Sequence, residues 1–67
     1  MTFAIVFDLP SADDPLFAGF DGGDLGFVRS LENALKFRRE SDAEKTLRRA
    51  YGSETRAYGC VVEVAAP

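Results

Sequence analysis

Residues 41–52, SDAEKTLRRAYG, decide how this chain is read. Ser41 and Glu44 have the S-x-x-E spacing of a capping box, in which the serine and the glutamate each satisfy an otherwise free backbone N–H at a helix start. Ala43, Leu47 and Ala50 follow at i, i+4 and i+7, one stripe of a helix. Asp42 and Glu44 stand in the first turn and Arg48 and Arg49 in the last, as the helix dipole favours. Gly52 suits the residue just past a helix C-terminus. A helix from Ser41 to about Tyr51 is therefore expected.

A helix that starts at Ser41 cannot continue the segment before it. Residues 27–39, FVRSLENALKFRR, fit either a helical or a strand pattern. The cap tips the reading toward a strand at 33–39, with a short helical turn ahead of it. Leu35 and Phe37 would then point inward, and Lys36 and Arg38 outward. Residues 3–9, FAIVFDL, form a further strand. Phe3, Ile5 and Phe7 share one face; Ala4, Val6 and Asp8 share the other. Both faces are apolar until Asp8, which places this strand centrally. Residues 57–65, AYGCVVEVA, form the last strand, with Tyr58, Cys60, Val62 and Val64 on one face and Gly59, Val61 and Glu63 on the other.

Residues 10–26, PSADDPLFAGFDGGDLG, contain two of the three prolines and four of the six glycines and read as a long acidic loop. Leu16, Phe17 and Phe20 give the loop apolar material. The expected fold is α+β, one compact domain over residues 1–67. Its three-stranded antiparallel sheet has order 2-1-3, β-β-α-β connectivity, and packs on one α-helix. The helix covers one face through Ala43, Leu47 and Ala50. The other face shows Ala4, Val6 and Val61, and Phe17 and Phe20 are assigned to cap it, with an exposed recognition role as their alternative.

The chain has 67 residues, 46% of them apolar, with one cysteine and no histidine. That apolar fraction is too high for a disordered chain. A lone cysteine excludes an intrachain disulfide, and the ligands of a structural zinc site are missing. Cys60, in the apolar run CVVEV, is expected to be a buried small hydrophobe in a reducing cytosol. The opening MTFAIVFDLP lacks the basic region and cleavage site of a signal peptide, and no run reaches the length of a membrane span. A cytoplasmic location is expected.

Chemistry is sparse. The commonest general base is absent, and the serines have no histidine partner. Glycines 19, 22, 23 and 26 lack the lysine of a phosphate loop. Asp21-Gly-Gly-Asp24 lacks the further ligands of a calcium loop. Nothing places the carboxylate pairs Asp13/Asp14 or Asp21/Asp24 in an apolar cleft. The chain is expected to be no enzyme, with no cofactor and no metal.

Charge is the strongest functional signal. Residues 1–26 carry Asp8, Asp13, Asp14, Asp21 and Asp24 and no basic residue. Residues 27–51 carry a net +3 and residues 52–67 a net −1, which gives the overall −3. The five aspartates are the expected partner-binding residues, suited to a basic groove that normally holds DNA. Arg38, Arg39, Lys45, Arg48 and Arg49 offer the alternative, a nucleic-acid-binding face of a small phage or bacterial regulator. A third possibility is a subunit anchored through Phe17 and Phe20.

The tiny acidic domain, with its strand ALKFRR, helix SDAEKTLRRAYG, strand YGCVVEV and Asp-rich DDPLFAGFDGGD, resembles the small phage-encoded anti-CRISPR proteins. The likeness is to the acidic inhibitors of the type I-C system of Pseudomonas. The resemblance implies three antiparallel strands around one helix. It also implies a DNA-mimic mechanism, in which the acidic surface blocks the site on the Cascade effector complex where target DNA first binds. The expected partner is a protein, with no membrane and no direct nucleic-acid contact, and the chain is expected to be monomeric by itself and to work in the bacterial host cell. The Arg-rich middle departs from a uniformly acidic mimic.

Overall fold

The computed structural model describes residues 1–64. Four strands form one sheet: β1 Thr2–Phe7, β2 Leu16–Asp21, β3 Asp24–Val28 and β4 Gly59–Val64. The order is β3-β2-β1-β4 and every neighbouring pair is antiparallel. A 3₁₀ turn spans Leu31–Asn33, helix α1 spans Glu40–Ala50 and the short helix α2 spans Ser53–Arg56. The fold is α+β with an antiparallel sheet packed on a helix, but it has four strands where three were expected. Residue 65 of the expected last strand lies outside the described residues.

The additional strands come from residues 16–28, most of which were expected to lie in the loop at 10–26. Residues 16–28 form a β-hairpin closed by the two-residue turn Gly22-Gly23. Both glycines have positive φ, 67° and 93°. A tight hairpin turn of this kind requires such values, and glycine adopts them without a Cβ clash. Gly19 and Gly26 are not loop residues but face each other across the hairpin. Gly19 is buried, and a Cβ there would lie 2.8 Å from Val28 Cγ2 and 3.0 Å from the Asn33 carbonyl oxygen.

Pairing between β1 and β2 is brief, at Val6↔Phe17 and Phe7↔Leu16. Beyond these positions residues 34–37 fill the space between the strands. The Leu35 N–H donates to the Ala18 carbonyl at 2.8 Å, and Phe37 exchanges hydrogen bonds with Phe3 at 2.7 and 2.8 Å. The strand expected at 33–39 thus shrinks to a bridge at Phe37, antiparallel to the first strand as expected. Lys36, expected to face outward, is half-buried. Its ammonium donates to the carbonyls of Leu31, Glu32 and Ala34 at 2.8, 3.3 and 3.2 Å, which satisfies the end of the 3₁₀ turn.

Helix α1 starts one residue earlier than its apparent cap. Arg39 is the N-cap, extended at φ −124° and ψ 138°, and makes no side-chain capping bond. Ser41 lies inside the first turn, so the S-x-x-E spacing is not used as a capping box. Gly52, at φ −66°, does not take up a left-handed cap but precedes α2. The buried stripe is Ala43, Leu47 and Tyr51 at i, i+4 and i+8; Ala50, expected in the core, is exposed.

This stripe packs on Ile5, Phe7 and Ala18, with Phe3, Leu25, Phe37 and Val61 around them. Phe7, Phe27 and Tyr51 form an aromatic trio with centroids 4.7–5.5 Å apart. The Tyr51 hydroxyl donates to the Gly26 carbonyl at 2.6 Å and so ties the helix end to β3. Burial pushes the Tyr51 hydroxyl above its ordinary pKa. At Gly59 a Cβ would lie 2.7 Å from the Phe7 ring and 2.9 Å from Leu47 Cδ1, so only glycine fits beneath the helix.

Val61 pairs with Ile5 and therefore lies on the helix face, not on the far face where it was expected. On the far face Ala4 is fully buried, while Val6, Phe17, Val28, Val62 and Val64 are half-buried. The two aromatic cap residues separate. Phe17 packs partway into the far face, whereas Phe20 lies on the helix face beyond the helix's reach and is 60% exposed. Cys60, expected to be buried, is exposed. Its alternation with Val61 on the outer strand turns it away from the helix.

Candidate protein-binding surface

All five aspartates singled out in the sequence are exposed. Asp8 follows β1, and its N–H donates to the Tyr58 carbonyl at 3.0 Å. Asp13 and Asp14 lie in the connection between β1 and β2. Asp21 and Asp24 flank the Gly22-Gly23 turn and face each other in register. The side-chain hydrogen bonds found among the described residues engage none of these carboxylates.

The five do not form one acidic loop. Asp8, Asp13 and Asp14 gather before the start of β2, and Asp21 and Asp24 at its end. Leu16 and Asp21 are five strand steps apart, which is about 17 Å at the rise of an antiparallel strand. The surface therefore has two anionic ends joined by a strand.

The ends differ in character. At the first, Asp13 and Asp14 share an open groove of about 520 Å³ with Arg29, over Leu9, Ala12 and Leu16. Arg29 directly follows β3, and Val28 pairs with Phe17 near the start of β2, so the hairpin brings this cation to the acidic end. Sequence reasoning missed Arg29 because residues 10–26 were read as a loop. The flanking apolar runs around Gly22-Gly23 were the signal for the hairpin. At the second end, Phe20 stands exposed beside Asp21, so the tip is both acidic and aromatic.

The basic residues lie elsewhere. Arg38 and Arg39 precede α1, and Lys45, Arg48 and Arg49 are exposed on it. Their spacing of i, i+3 and i+4 makes a stripe on the solvent side, away from Ala43 and Leu47. The Arg48 carbonyl accepts from Arg56 Nη1 at 3.1 Å. Ser30 caps the 3₁₀ turn, its Oγ accepting the Glu32 N–H at 3.1 Å. Among the described residues no group of three or more His, Cys, Asp or Glu is placed to hold a metal ion. Among the same residues no helix is long and apolar enough to cross a membrane. Comparison with known proteins brings no match to a family model, a curated protein or a solved structure.

Proposed function

We propose that this chain is a non-enzymatic inhibitor that works by mimicking DNA. Its aspartates occupy the DNA-binding surface of a protein partner, and the resemblance noted in the sequence makes a type I CRISPR effector complex, Cascade, the partner class. It acts in the cytoplasm of a bacterial host without touching nucleic acid itself. The observation that carries this reading is the placement of Asp8, Asp13, Asp14, Asp21 and Asp24, exposed and free of side-chain hydrogen bonds, at two ends of one strand. A separation of about 17 Å corresponds to the axial rise of about five base pairs of DNA. Phe20 adds an apolar contact at one end, of the kind that anchors protein interfaces.

The test uses a purified type I effector complex and a labelled target duplex. Wild-type protein should prevent duplex binding, less effectively as salt rises. The quadruple variant Asp13→Lys, Asp14→Lys, Asp21→Lys, Asp24→Lys should retain its circular dichroism spectrum and lose inhibition. Inhibition that survives in a folded quadruple variant overturns the reading.

One observation favours a second reading. Lys45, Arg48 and Arg49 form an exposed stripe on α1, which suits a small regulator that binds nucleic-acid phosphates. A low-salt gel shift with saturable DNA or RNA binding, lost on Arg48→Glu plus Arg49→Glu, would replace the mimic with this regulator.

A further inference from the structure

The outer edge of β4 has an unpaired set of backbone groups whose spacing is its own complement. The Asp8 N–H binds the Tyr58 carbonyl, so that carbonyl, and by alternation the backbone groups of Cys60, Val62 and Val64, turn toward β1. Phe3, the partner of Glu63 in register, instead bonds Phe37 on its other side. The N–H and C=O groups of Gly59, Val61 and Glu63 therefore point away from the sheet. None of the backbone hydrogen bonds outside the regular ladders uses them among the described residues.

Sheet edges are normally protected by lysine, proline or a bulge. This strand, GCVVEV, has none of these and a single charge. The opposite edge, β3, turns only Leu25 and Phe27 outward and is flanked by Asp24 and Arg29.

We infer that β4 pairs antiparallel with β4 of a second copy about a two-fold axis at Val61, joining two sheets into one of eight strands. Gly59, Val61 and Glu63 are evenly spaced about that centre. Val61 then bonds Val61 of the copy, and Gly59 and Glu63 bond each other's counterparts, so every outward group is matched. Each Glu63 lies opposite a glycine, at the end of the copy's strand that follows Arg56. The two Glu63 residues stand about 13 Å apart along the strands. The neighbouring registers are worse: one centred on Cys60 leaves Glu63, and one centred on Val62 leaves Gly59, without a partner inside the six-residue strand, and one centred on Glu63 opposes two carboxylates, which is destabilising. Cys60 of each copy falls opposite Val62 of the other, in a non-hydrogen-bonded pair with Cα atoms about 4.5 Å apart. An edge of six residues makes a small interface, so the dimer forms at high concentration. This inference does not depend on the acidic-surface reading.

That cross-strand position provides the test. Val62→Cys places a second thiol directly opposite Cys60 of the other copy, within the Cα separation a disulfide accepts. Under mild oxidation Val62→Cys should give a covalent dimer. Wild type should not, because its two Cys60 residues are offset. Val62→Cys combined with Cys60→Ser should also fail to cross-link. Sedimentation of the wild type from about 1 µM to about 1 mM, the range of weak interfaces, should show the mass doubling. Glu63→Pro, which removes an outward donor on an edge strand where proline is tolerated, should shift the midpoint at least tenfold higher while keeping the fold. A wild type monomeric throughout overturns the inference. So does a dimer that neither cross-links through Val62→Cys nor weakens in folded Glu63→Pro.

Discussion

Asp21 and Asp24 show how a residue's position changes its meaning. In the sequence they are two acids around a pair of glycines; in the fold they are directly opposed like charges on a hairpin. Such a pair destabilises the ladder it sits in. Asp24→Lys converts it into an attractive pair and is expected to raise the thermal midpoint by roughly 1–5 °C. If the hairpin tip contacts the partner, the same change weakens inhibition, so that stability and activity move in opposite directions. Thermal melts and a duplex-competition assay on one variant check both. Which acids are exposed was legible, because carboxylates rarely enter a core. Their division between two ends was not. It follows from a turn whose glycines were credited to a loop. Gly19 and Gly59 were illegible in another way: what forbids a Cβ at each is an atom far away in the chain, Asn33 O in one case and Phe7 and Leu47 in the other.

At the scale of elements, α1 was legible from its stripe of small and apolar residues, and its ends were not. The extended segment that bridges Phe37 to Phe3 runs straight into the helix at Arg39, which moves the start ahead of Ser41. The stripe ends on Tyr51 rather than Ala50 because the ring completes the trio with Phe7 and Phe27. Tyr51→Phe keeps that packing and removes the 2.6 Å bond to Gly26, at an expected cost of about 0.5–1.5 kcal/mol by urea denaturation. Its pH dependence has a definite sign. The folded-state pKa lies above the unfolded value, so the Tyr51 hydroxyl contributes fully below about pH 10. That contribution fades as pH rises through the folded pKa. The stability gap between wild type and Tyr51→Phe should therefore narrow above pH 10. A gap that stays constant into strong alkali would show that the hydroxyl bond is not its source.

At the scale of the molecule, Phe7 and Ile5 are the only large side chains among the described residues that are fully shut from solvent. A domain of this size rarely has more than about 3–5 kcal/mol of stability. Phe7→Ala removes about 3–5 kcal/mol and should leave most of the chain unfolded at 25 °C, as read by loss of far-ultraviolet ellipticity. The fold class was legible in the strand and helix patterns taken together, and the central place of the first strand in FAIVFDL, apolar on both faces until Asp8. The strand count was not, since one expected strand contracted to the Phe37 bridge while an expected loop became two. The narrow seam between β1 and β2 has a mechanical consequence. Beyond the packing of Ala18 and Phe27, the β2–β3 hairpin is hydrogen-bonded to the rest through two paired positions, one bond from Leu35 and the Tyr51 hydroxyl, whereas β1 and β4 pair along their whole length. Amide hydrogens in the hairpin ladder should exchange faster than those between β1 and β4, as a unit that opens before the rest. Under the proposed function the anionic tip is then carried by the less firmly paired half of the sheet, and how far it could reach toward a partner would depend on how easily that seam parts.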